Sequence, residues 1–343
     1  MRNVLRIINP YEPGIFPEGE VINLSSNENP YEPSEAVKNA YMHSLSRINR
    51  YPDASYSKLK KAISDYTGVE TERIAVGCGS SELISCICEA LVEELDKVVI
   101  PMPSYSLYAI YAMLRNSSIL MPVFENYELE ANLFEEERPK LTILCSPNNP
   151  TGNVVEKKVV EKIAESSEFL VIDEAYAEFS EENLLAFALQ FDNVIVLRSF
   201  SKFFGLAGLR IGYAIASKEI ANAIEKIRLP FAISSPAVEV AISAIKSLDY
   251  YLELKKKIIS ERERVFMELK KLGLVVYPSK ANFLLVKTTD DLFELLLSKG
   301  IVVRNLINLI GLEGKYLRIT IGRREENDAL LNVLKLYCRH ASA

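Results

Sequence analysis

The polar residues best suited to chemistry stand in three clusters, each directly after a short apolar run that is typical of a buried strand. The clusters are Ser146-Pro-Asn-Asn-Pro-Thr-Gly152, Asp173-Glu-Ala-Tyr176 and Arg198-Ser-Phe-Ser-Lys202, the last of which continues through a glycine-rich stretch to Arg210. Ligands of open α/β sheets bind beyond the carboxyl ends of the strands. One cleft is therefore predicted to hold Asn149, Asp173, Tyr176, Ser199, Ser201, Lys202 and Arg210.

Lysine, carboxylate, hydroxyl and arginine groups around one cleft match the chemical needs of pyridoxal phosphate (PLP). The aldehyde of PLP bonds to a lysine amine, and its pyridine nitrogen needs a carboxylate that keeps it protonated. Its phosphate needs amide and hydroxyl donors and an arginine. The Gly77-Cys-Gly-Ser-Ser81 turn precedes a helical pattern and so offers the amides of a helix N-terminus. The combination predicts a PLP site.

Short apolar runs alternate with amphipathic stretches through the middle of the chain. The predicted strands are Val98–Ile100, Leu141–Cys145, Phe169–Ile172, Val194–Leu197 and Tyr213–Ala216. A helical apolar face follows the Gly77–Ser81 turn, and Ser180 is predicted to cap a helix that runs through Phe191. Strands that alternate with helices indicate an α/β fold with a mainly parallel sheet covered on both faces.

The pattern changes after about residue 235, where a second, smaller α/β domain is predicted. Ala237–Lys271 is predicted to be helical, and it is followed by the strand-like segments Leu274–Tyr277, Ala281–Val286 and Tyr316–Ile321 and by a final helix. The start of the chain is rich in proline (Pro10, Pro13, Pro17, Pro30 and Pro33), which indicates an extended arm. The predicted division is an arm over residues 1–34 that joins the small domain, a large PLP-binding domain over 35–235, and a small C-terminal domain over 236–343.

Composition excludes several classes of protein. A chain of 343 residues suits about two domains, and a net charge of −6 without a basic stripe argues against a nucleic-acid partner. Neither a signal-peptide pattern nor a run of about 18 apolar residues is present, so we expect no membrane association. Five irregularly spaced cysteines favour the reducing cytoplasm. Cys86 and Cys88 would not face each other on a helix, so we expect no metal site.

At these positions the sequence resembles the fold-type I PLP-dependent aminotransferases, and within them the histidinol-phosphate aminotransferases. The Asn149-Pro-Thr-Gly152 turn and the Lys202 segment are typical of the superfamily. Stretches that point to the branch are Asn27-Glu-Asn-Pro30, Asp173-Glu-Ala-Tyr-Ala-Glu-Phe179 and Val302-Val-Arg304. Further matching stretches are Pro10-Tyr-Glu-Pro-Gly14, Leu24-Ser-Ser26, Arg50-Tyr-Pro-Asp53, Gly77–Glu82, Pro101-Met-Pro-Ser-Tyr105 and Leu317-Arg-Ile-Thr320. The resemblance implies a large domain with a mainly parallel seven-stranded sheet flanked by helices, plus a smaller α/β C-terminal domain.

By position, the resemblance implies a role for each cofactor-binding residue. Lys202 is the Schiff-base lysine and the proton shuttle, and Asp173 pairs with the pyridinium nitrogen. Tyr176 and Asn149 bond the 3-oxygen of the ring, and Tyr105 stacks on the ring. The implied phosphate ligands are the backbone amides of Ser80 and Ser81, the hydroxyls of Ser199 and Ser201, the guanidinium of Arg210 and, from the neighbouring subunit, Tyr51. The catalytic group is thus Lys202, Asp173 and Tyr176.

The same resemblance implies the substrate side and the reaction. Arg318 binds the α-carboxylate of glutamate or the phosphate of the other substrate. Tyr11 and Arg304 help to hold that phosphate, and Asn27 lines the substrate side. The implied reaction is transfer of an amino group between L-histidinol phosphate and 2-oxoglutarate, a step of histidine biosynthesis. The implied enzyme is a cytoplasmic homodimer with shared active sites.

Three other functions stay open at this point. Aromatic amino acid transamination fits the same fold, because an imidazole and a phenyl ring need similar space. Threonine-phosphate decarboxylation would instead break the bond between the α-carbon and the carboxylate. A PLP-sensing regulator would need a DNA-binding domain ahead of this part, and the chain begins with a short arm that lacks a basic helix-turn-helix.

Some residues have a purely structural interpretation or depart from the family pattern. Glu174 would cap a helix, and Glu28 and Asn29 would shape the turn at Pro30. The departures are Cys78 where asparagine is common, Ser81 where aspartate is common, Glu32 in place of glycine and Arg323 in place of threonine. They leave the cofactor chemistry intact and bear on the identity of the substrate.

Overall fold

A computed structural model describes residues 2–9, 11, 14–15, 19–288 and 292–341, with side chains described through residue 338. Pro10, Pro13 and Pro17, on which the prediction of an extended arm partly rests, lie outside the described residues. Among the helices of this part of the chain, none combines the length and the apolar composition that crossing a bilayer requires.

Helices and strands alternate along most of the described chain. The α-helices α1 to α12 are Glu35–Ser44, Ser57–Thr67, Gly79–Leu91, Leu107–Leu114, Asn132–Glu137, Lys157–Ser166, Leu185–Ala188, Lys218–Ile227, Ser235–Lys246, Leu248–Lys271, Leu292–Ser298 and Arg324–Ala341. The strands β1 to β12 are Ile22–Leu24, Ile74–Gly77, Lys97–Val99, Ser118–Leu120, Leu141–Cys145, Phe169–Asp173, Val194–Ser199, Gly212–Ile215, Val275–Tyr277, Phe283–Thr288, Ile301–Asn305 and Lys315–Thr320. Serine hydroxyls cap α1, α8 and α9, where Ser34, Ser217 and Ser234 each accept a bond from a first-turn amide.

The large sheet has seven strands in the order β2-β8-β7-β6-β5-β3-β4. Its strands pair in parallel, except that β8 runs antiparallel to both β2 and β7. The central strands β5, β6 and β7 are buried almost throughout, as strands are when helices cover both faces of a sheet. The predicted mainly parallel seven-stranded sheet is confirmed, and the carboxyl ends of β5, β6 and β7 lie side by side.

The small sheet has five strands in the order β1-β11-β12-β10-β9. The N-terminal strand β1 pairs in parallel with β11, with Ile22 opposite Ile301. The N-terminal segment therefore contributes a strand to the sheet of the C-terminal part of the chain. The limits at residues 34 and 235 stay predictions.

Two of the predicted helices differ from the structure. The helix predicted over residues 180–191 is wrong in extent, because the structure forms only Leu185–Ala188. The Ser180 hydroxyl accepts a bond from the Glu182 amide, and a Glu174 carboxylate oxygen accepts one from the Leu184 amide. These bonds hold the segment before α7 as a loop. The segment 237–271 is not one helix but α9 and α10, which are separated at Ser247.

Candidate active site

A cavity of about 340 Å³ opens beyond the carboxyl ends of β5, β6 and β7 and is closed on one side by the small sheet. Every predicted site residue except Tyr51 lines it: Tyr11, Asn27, Ser80, Ser81, Tyr105, Asn149, Asp173, Tyr176, Ser199, Ser201, Lys202, Arg210, Arg304 and Arg318. Residues that are far apart in the sequence therefore share one cleft, as the strand-end argument predicts.

Lys202 lies in the turn that follows β7 and faces the cavity. Its Nζ donates a hydrogen bond to the backbone carbonyl of Ser26 at 2.8 Å. Burial lowers the pKa of the Lys202 amine to about 8, and the positive charge of Arg318 adds to the shift. Near neutral pH this lysine has a larger neutral fraction than an ordinary lysine, and the neutral amine is the form that attacks an aldehyde or accepts a proton.

Asp173 is the last residue of β6 and lies at the centre of the sheet, where only 3% of it is exposed. One carboxylate oxygen accepts a bond from the Ala175 amide at 3.0 Å, and the other accepts one from the Tyr108 hydroxyl at 2.7 Å. Burial raises the pKa of the Asp173 carboxyl, and the bond from Tyr108 opposes this rise. The site thus holds a buried carboxylate on fixed donors.

Tyr108 also lines the cavity, although it was not predicted from the sequence. It is fully buried on α4, and its ring meets that of Tyr105 edge to face, with ring centroids 5.5 Å apart. A signal was present, because a second tyrosine stands three residues after Tyr105 and this spacing brings two side chains together at the start of a helix. The contact with Asp173 could not be foreseen, since 65 residues separate the partners.

Tyr108→Phe removes the hydroxyl that opposes the rise in the Asp173 pKa. We expect kcat/KM to fall roughly 10- to 100-fold at low pH, since a hydrogen bond to a charged group contributes on the order of 1.5–3 kcal/mol. The pKa of Asp173 should rise further, so the acidic limb of the pH profile of kcat/KM should move to higher pH. Tyr111→Phe, on the same helix but outside the cavity lining, is the control. An unshifted acidic limb in Tyr108→Phe would contradict the expectation.

The N-terminus of α3 forms a cradle with the guanidinium of Arg210. Gly79 has a φ of +78°, and a Cβ there would lie 2.6 Å from Arg210 Nη2. A Cβ at Gly212 would lie 2.5 Å from the Ser80 amide nitrogen. Arg210 Nη1 donates to the Ser201 hydroxyl at 3.4 Å. Two glycines thus allow backbone amides, a hydroxyl and a guanidinium to converge, which is a donor set suited to a phosphate.

Arg318 extends from β12 into the cavity and contacts residues on the opposite wall. Its Nη1 donates to the Asn149 side-chain oxygen and its Nη2 to the Ser25 carbonyl, each at 2.6 Å. Its Nε is buried and makes no hydrogen bond within the described part of the chain. Asn27 donates from Nδ2 to the Tyr176 hydroxyl at 3.0 Å. Each of these bonds therefore pairs a predicted substrate-binding residue with a predicted ring-binding residue, Arg318 with Asn149 and Asn27 with Tyr176.

Arg304 and Arg318 stand directly opposite each other on β11 and β12. Like charges at paired positions of a sheet repel, and the positive charge of Arg304 contributes to a lowered pKa of Arg318, for which burial is the main cause. An anion between them would relieve that repulsion. Tyr11 lies near the same wall, and its ring meets the Tyr105 ring edge to face with centroids 5.9 Å apart.

Tyr51 does not reach the cavity of its own chain. It is 80% exposed, and its ring stacks on Phe231 with ring centroids 4.5 Å apart. The predicted contact of Tyr51 with a neighbouring subunit stays a prediction.

A buried ion pair joins the ends of β6 and β7 behind the cavity. Arg198 donates to one oxygen of Glu174, from Nη2 at 2.7 Å and from Nε at 3.1 Å. Glu178 lies 3.5 Å from Arg198 Nη1, and one of its oxygens is buried without a hydrogen bond among the described residues. Glu174 was expected to cap a helix, but no helix cap by it is recorded in the described part of the chain; it ties the strand that carries Asp173 to the strand that leads to Lys202.

Comparisons with known proteins agree with this geometry. The family model described as "Aminotransferase class I and II" matches residues 19–334. The chain belongs to this aminotransferase family. Over 98% of its length it is 59% identical to histidinol-phosphate aminotransferase 2 of Archaeoglobus fulgidus, of which 99% is covered.

Two solved structures of this aminotransferase family extend the comparison. The histidinol-phosphate aminotransferase of Clostridium acetobutylicum has a TM-score of 0.86 at 29% identity, over 93% of this chain and 99% of that one. That of Sinorhizobium meliloti, in complex with pyridoxal-5'-phosphate, has a TM-score of 0.85 at 27% identity, over 93% and 91% of the two chains. The predicted family, fold class and enzyme class are confirmed, and within the aminotransferases the chain groups with the histidinol-phosphate aminotransferases.

Proposed function

We propose that this aminotransferase transfers an amino group between L-histidinol phosphate and 2-oxoglutarate, a step of histidine biosynthesis. The observation that carries the proposal is the 59% identity, over nearly the whole chain, to a histidinol-phosphate aminotransferase. The adjacent guanidinium groups of Arg304 and Arg318 support it, because two neighbouring cations suit a substrate phosphate or the carboxylates of a dicarboxylic acid.

We propose PLP as the cofactor, because the described residues fit it. The glycine cradle at Gly79 leaves room for a phosphate between Arg210 and the start of α3, and the partly neutral amine of Lys202 suits an aldehyde. The proposed phosphate ligands are the amides of Ser80 and Ser81, the hydroxyls of Ser199 and Ser201, and Arg210. When bound, PLP supplies an electron sink for the negative charge that develops on the substrate α-carbon.

The catalytic residues in this proposal are Lys202, Asp173 and Tyr176. Lys202 removes the proton from the carbon that bears the amino group, as a general base whose lowered pKa favours the neutral form. Asp173 would hold a proton on the ring nitrogen of the cofactor. Tyr176 and Asn149 would bond the 3-oxygen of the ring, and their bonds to Asn27 and Arg318 fix their orientation.

The proposed substrate ligands lie on the wall opposite Lys202. Arg318 binds the α-carboxylate of glutamate in one half reaction and the substrate phosphate in the other. Its buried Nε–H makes no hydrogen bond within the described residues, so it can donate to a substrate oxygen, which supports this role. Arg304 and Tyr11 help to hold the phosphate, Asn27 lines the substrate side, and Tyr105 stacks on the cofactor ring.

We propose that the active unit is a homodimer with shared active sites. Tyr51 lies outside its own cavity and is 80% exposed, as expected of a residue that acts in a partner subunit. Large apolar side chains are exposed on neighbouring segments of the chain: Met42, Leu45, Ile48, Leu229 and Phe231. A partner that covers them would remove apolar surface from water. We also propose a cytoplasmic location, which the odd number of cysteines favours.

The substrate assignment can be tested with the yellow, PLP-loaded protein. Histidinol phosphate, phenylalanine, tyrosine and threonine phosphate are each mixed with it, and the absorbance of the bound cofactor is followed in a stopped-flow instrument. We expect the fastest change with histidinol phosphate. A faster change with phenylalanine would replace the proposal by aromatic transamination, and release of carbon dioxide from threonine phosphate without a keto acid would replace it by decarboxylation.

A further inference from the structure

We propose that Glu28 determines substrate specificity by accepting a hydrogen bond from the imidazole N–H of the substrate. The inference rests on the proposed function and deepens it, because it names the side chain that distinguishes an imidazole from a phenyl ring. It departs from the sequence analysis, in which Glu28 only shapes a turn.

The residue before Glu28 is fixed on both sides of the cleft. Asn27 is buried and has a φ of +53°, which turns the chain sharply at this point. Its amide donates to the Thr320 hydroxyl at 2.9 Å, and its carbonyl accepts a bond from Asn282 at 3.1 Å. Its side chain donates to the Tyr176 hydroxyl. Asn27 is thus bonded to the small sheet and to Tyr176, in the segment after β6.

The residue after Glu28 is fixed as well. Asn29 donates from Nδ2 to the Phe203 carbonyl at 2.9 Å, and its side-chain oxygen accepts a bond from the Tyr31 amide at 3.0 Å. The Asn29 side chain also lies close to Gly205, because a Cβ added to that glycine would be 3.3 Å from the Asn29 Cβ. The backbone on both sides of Glu28 therefore has little freedom, and the position of Glu28 at the cleft is set by its neighbours.

Glu28 itself has no structural task in the described part of the chain. It is exposed, it lines the cavity, and it has no hydrogen bond or ion pair there, while its negative charge acts on Lys202. A carboxylate held at the wall of a binding cavity by fixed neighbours, and not used to hold the fold, is available to a ligand.

The charges of the cavity show what that ligand must offer. Among the residues that the structure describes, the cations that line it are Lys202, Arg210, Arg304 and Arg318, and the acids are Asp173 and Glu28. Asp173 is engaged by Tyr108 and Ala175 at the bottom. A second carboxylate does not help the site to bind phosphate or carboxylate groups, because like charges repel. The carboxylate of Glu28 therefore needs a ligand group that donates a proton or carries positive charge.

An imidazole ring provides such a group and a phenyl ring does not. The neutral imidazole has one N–H donor, and its ordinary pKa of about 6.5 lets a neighbouring carboxylate stabilise the cationic form near neutral pH. A site built around such a bond rejects an analogue that lacks the donor, because the polar group of the site is then left without its partner. Steric fit alone discriminates far less between two flat rings of similar size.

A binding experiment on the PLP-loaded protein tests the contact directly. Imidazolylpropyl phosphate and phenylpropyl phosphate lack the reacting amine and differ only in the ring, and the dissociation constant of each is measured by calorimetry. We expect Glu28→Ala to weaken the imidazole ligand about 10-fold, as for a charge-assisted hydrogen bond in a partly exposed site, and to leave the phenyl ligand unchanged. Glu20→Ala, which removes an exposed carboxylate outside the cavity, should change neither constant.

The two half reactions provide a second readout. Glutamate has no imidazole, so Glu28→Ala should slow cofactor conversion by histidinol phosphate at low concentration about 10-fold and spare conversion by glutamate. Equal slowing of both would mean that Glu28 acts through Lys202 and would overturn the proposal, as would equal weakening of the two phosphate ligands. If the unaltered enzyme prefers phenylalanine to histidinol phosphate, the proposed function fails, and the ligand pair still decides whether Glu28 binds an imidazole.

Discussion

Lys202→Ala is expected to lose the yellow absorbance of covalently held PLP and nearly all turnover. The amine of Lys202 is the proposed site of attachment and the proposed general base, and loss of general acid–base catalysis alone typically slows a reaction roughly 100- to 10,000-fold. The fold should persist, since the only hydrogen bond that the structure records for this amine is the one to the Ser26 carbonyl. Bound PLP is measured from absorbance spectra, turnover from a coupled assay of glutamate formation, and the stability of the fold from a denaturation curve.

Two further variants distinguish the covalent attachment of PLP to Lys202 from the positive charge of its side chain. Lys202→Arg keeps a positive charge in the cavity, but a guanidinium stays protonated and cannot serve as the base, so it should be as inactive as the alanine variant. Lys218→Ala, at the exposed start of α8, should retain both absorbance and turnover. A Lys202→Ala protein that kept the absorbance and the activity would refute the assignment of the site.

Arg198→Met is expected to cost on the order of 3–5 kcal/mol of unfolding free energy, the usual effect of breaking a buried ion pair by removing one partner. Arg198 is 7% exposed and contacts the carboxylates of Glu174 and Glu178, whose side chains are 1% and 8% exposed. Methionine fills part of the same volume but leaves both carboxylates in an apolar setting. Such a loss is a large part of the roughly 5–15 kcal/mol that a protein domain has in total.

Denaturant unfolding at several pH values measures this loss of unfolding free energy and whether it grows or shrinks with pH. Burial raises the pKa of the Glu178 carboxyl above its ordinary value, so the folded state takes up a proton more readily than the unfolded state. The loss in Arg198→Met should therefore grow as the pH rises through the window above the ordinary glutamate pKa. Lys61→Met, which removes one partner of the exposed pair with Asp65, is the control and should cost at most about 1 kcal/mol. A similar small cost for Arg198→Met would contradict the expectation.

The sequence predicted the location of the site because the site follows from strand order. Asp173 ends β6, and Lys202 lies just beyond β7, so a parallel pairing of these strands is enough to bring them to one edge. The glycine turn before α3 was predicted from its place at the start of a helical pattern, because the amides of a helix N-terminus suit a phosphate. The resemblance to a known family then gave roles to individual residues, which the strand pattern alone does not distinguish.

Contacts between distant segments could not be predicted. Tyr108 lies on α4 and bonds Asp173 at the end of β6, and Arg198 on β7 bonds Glu174 beyond the end of β6. The partners in each pair are far apart in the sequence, so the local pattern around one residue does not indicate the other. The same ion pair helps to explain the wrong helix at residues 180–191, because Glu174 bonds the Leu184 amide and removes it from helical pairing. The break at Ser247 was missed because a single residue interrupts the helical period there without changing the polarity of the segment.

The segment that leads from β1 into the cleft connects the two sheets mechanically. Its Ser25 carbonyl accepts a bond from Arg318, and its Ser26 carbonyl accepts one from Lys202. A rotation of the small sheet therefore displaces the acceptor of the lysine amine at the same time as it moves the arginine. Because the charge of Arg318 is one cause of the lowered pKa of Lys202, we expect substitutions on the small sheet that move Arg318 to change how basic the lysine is.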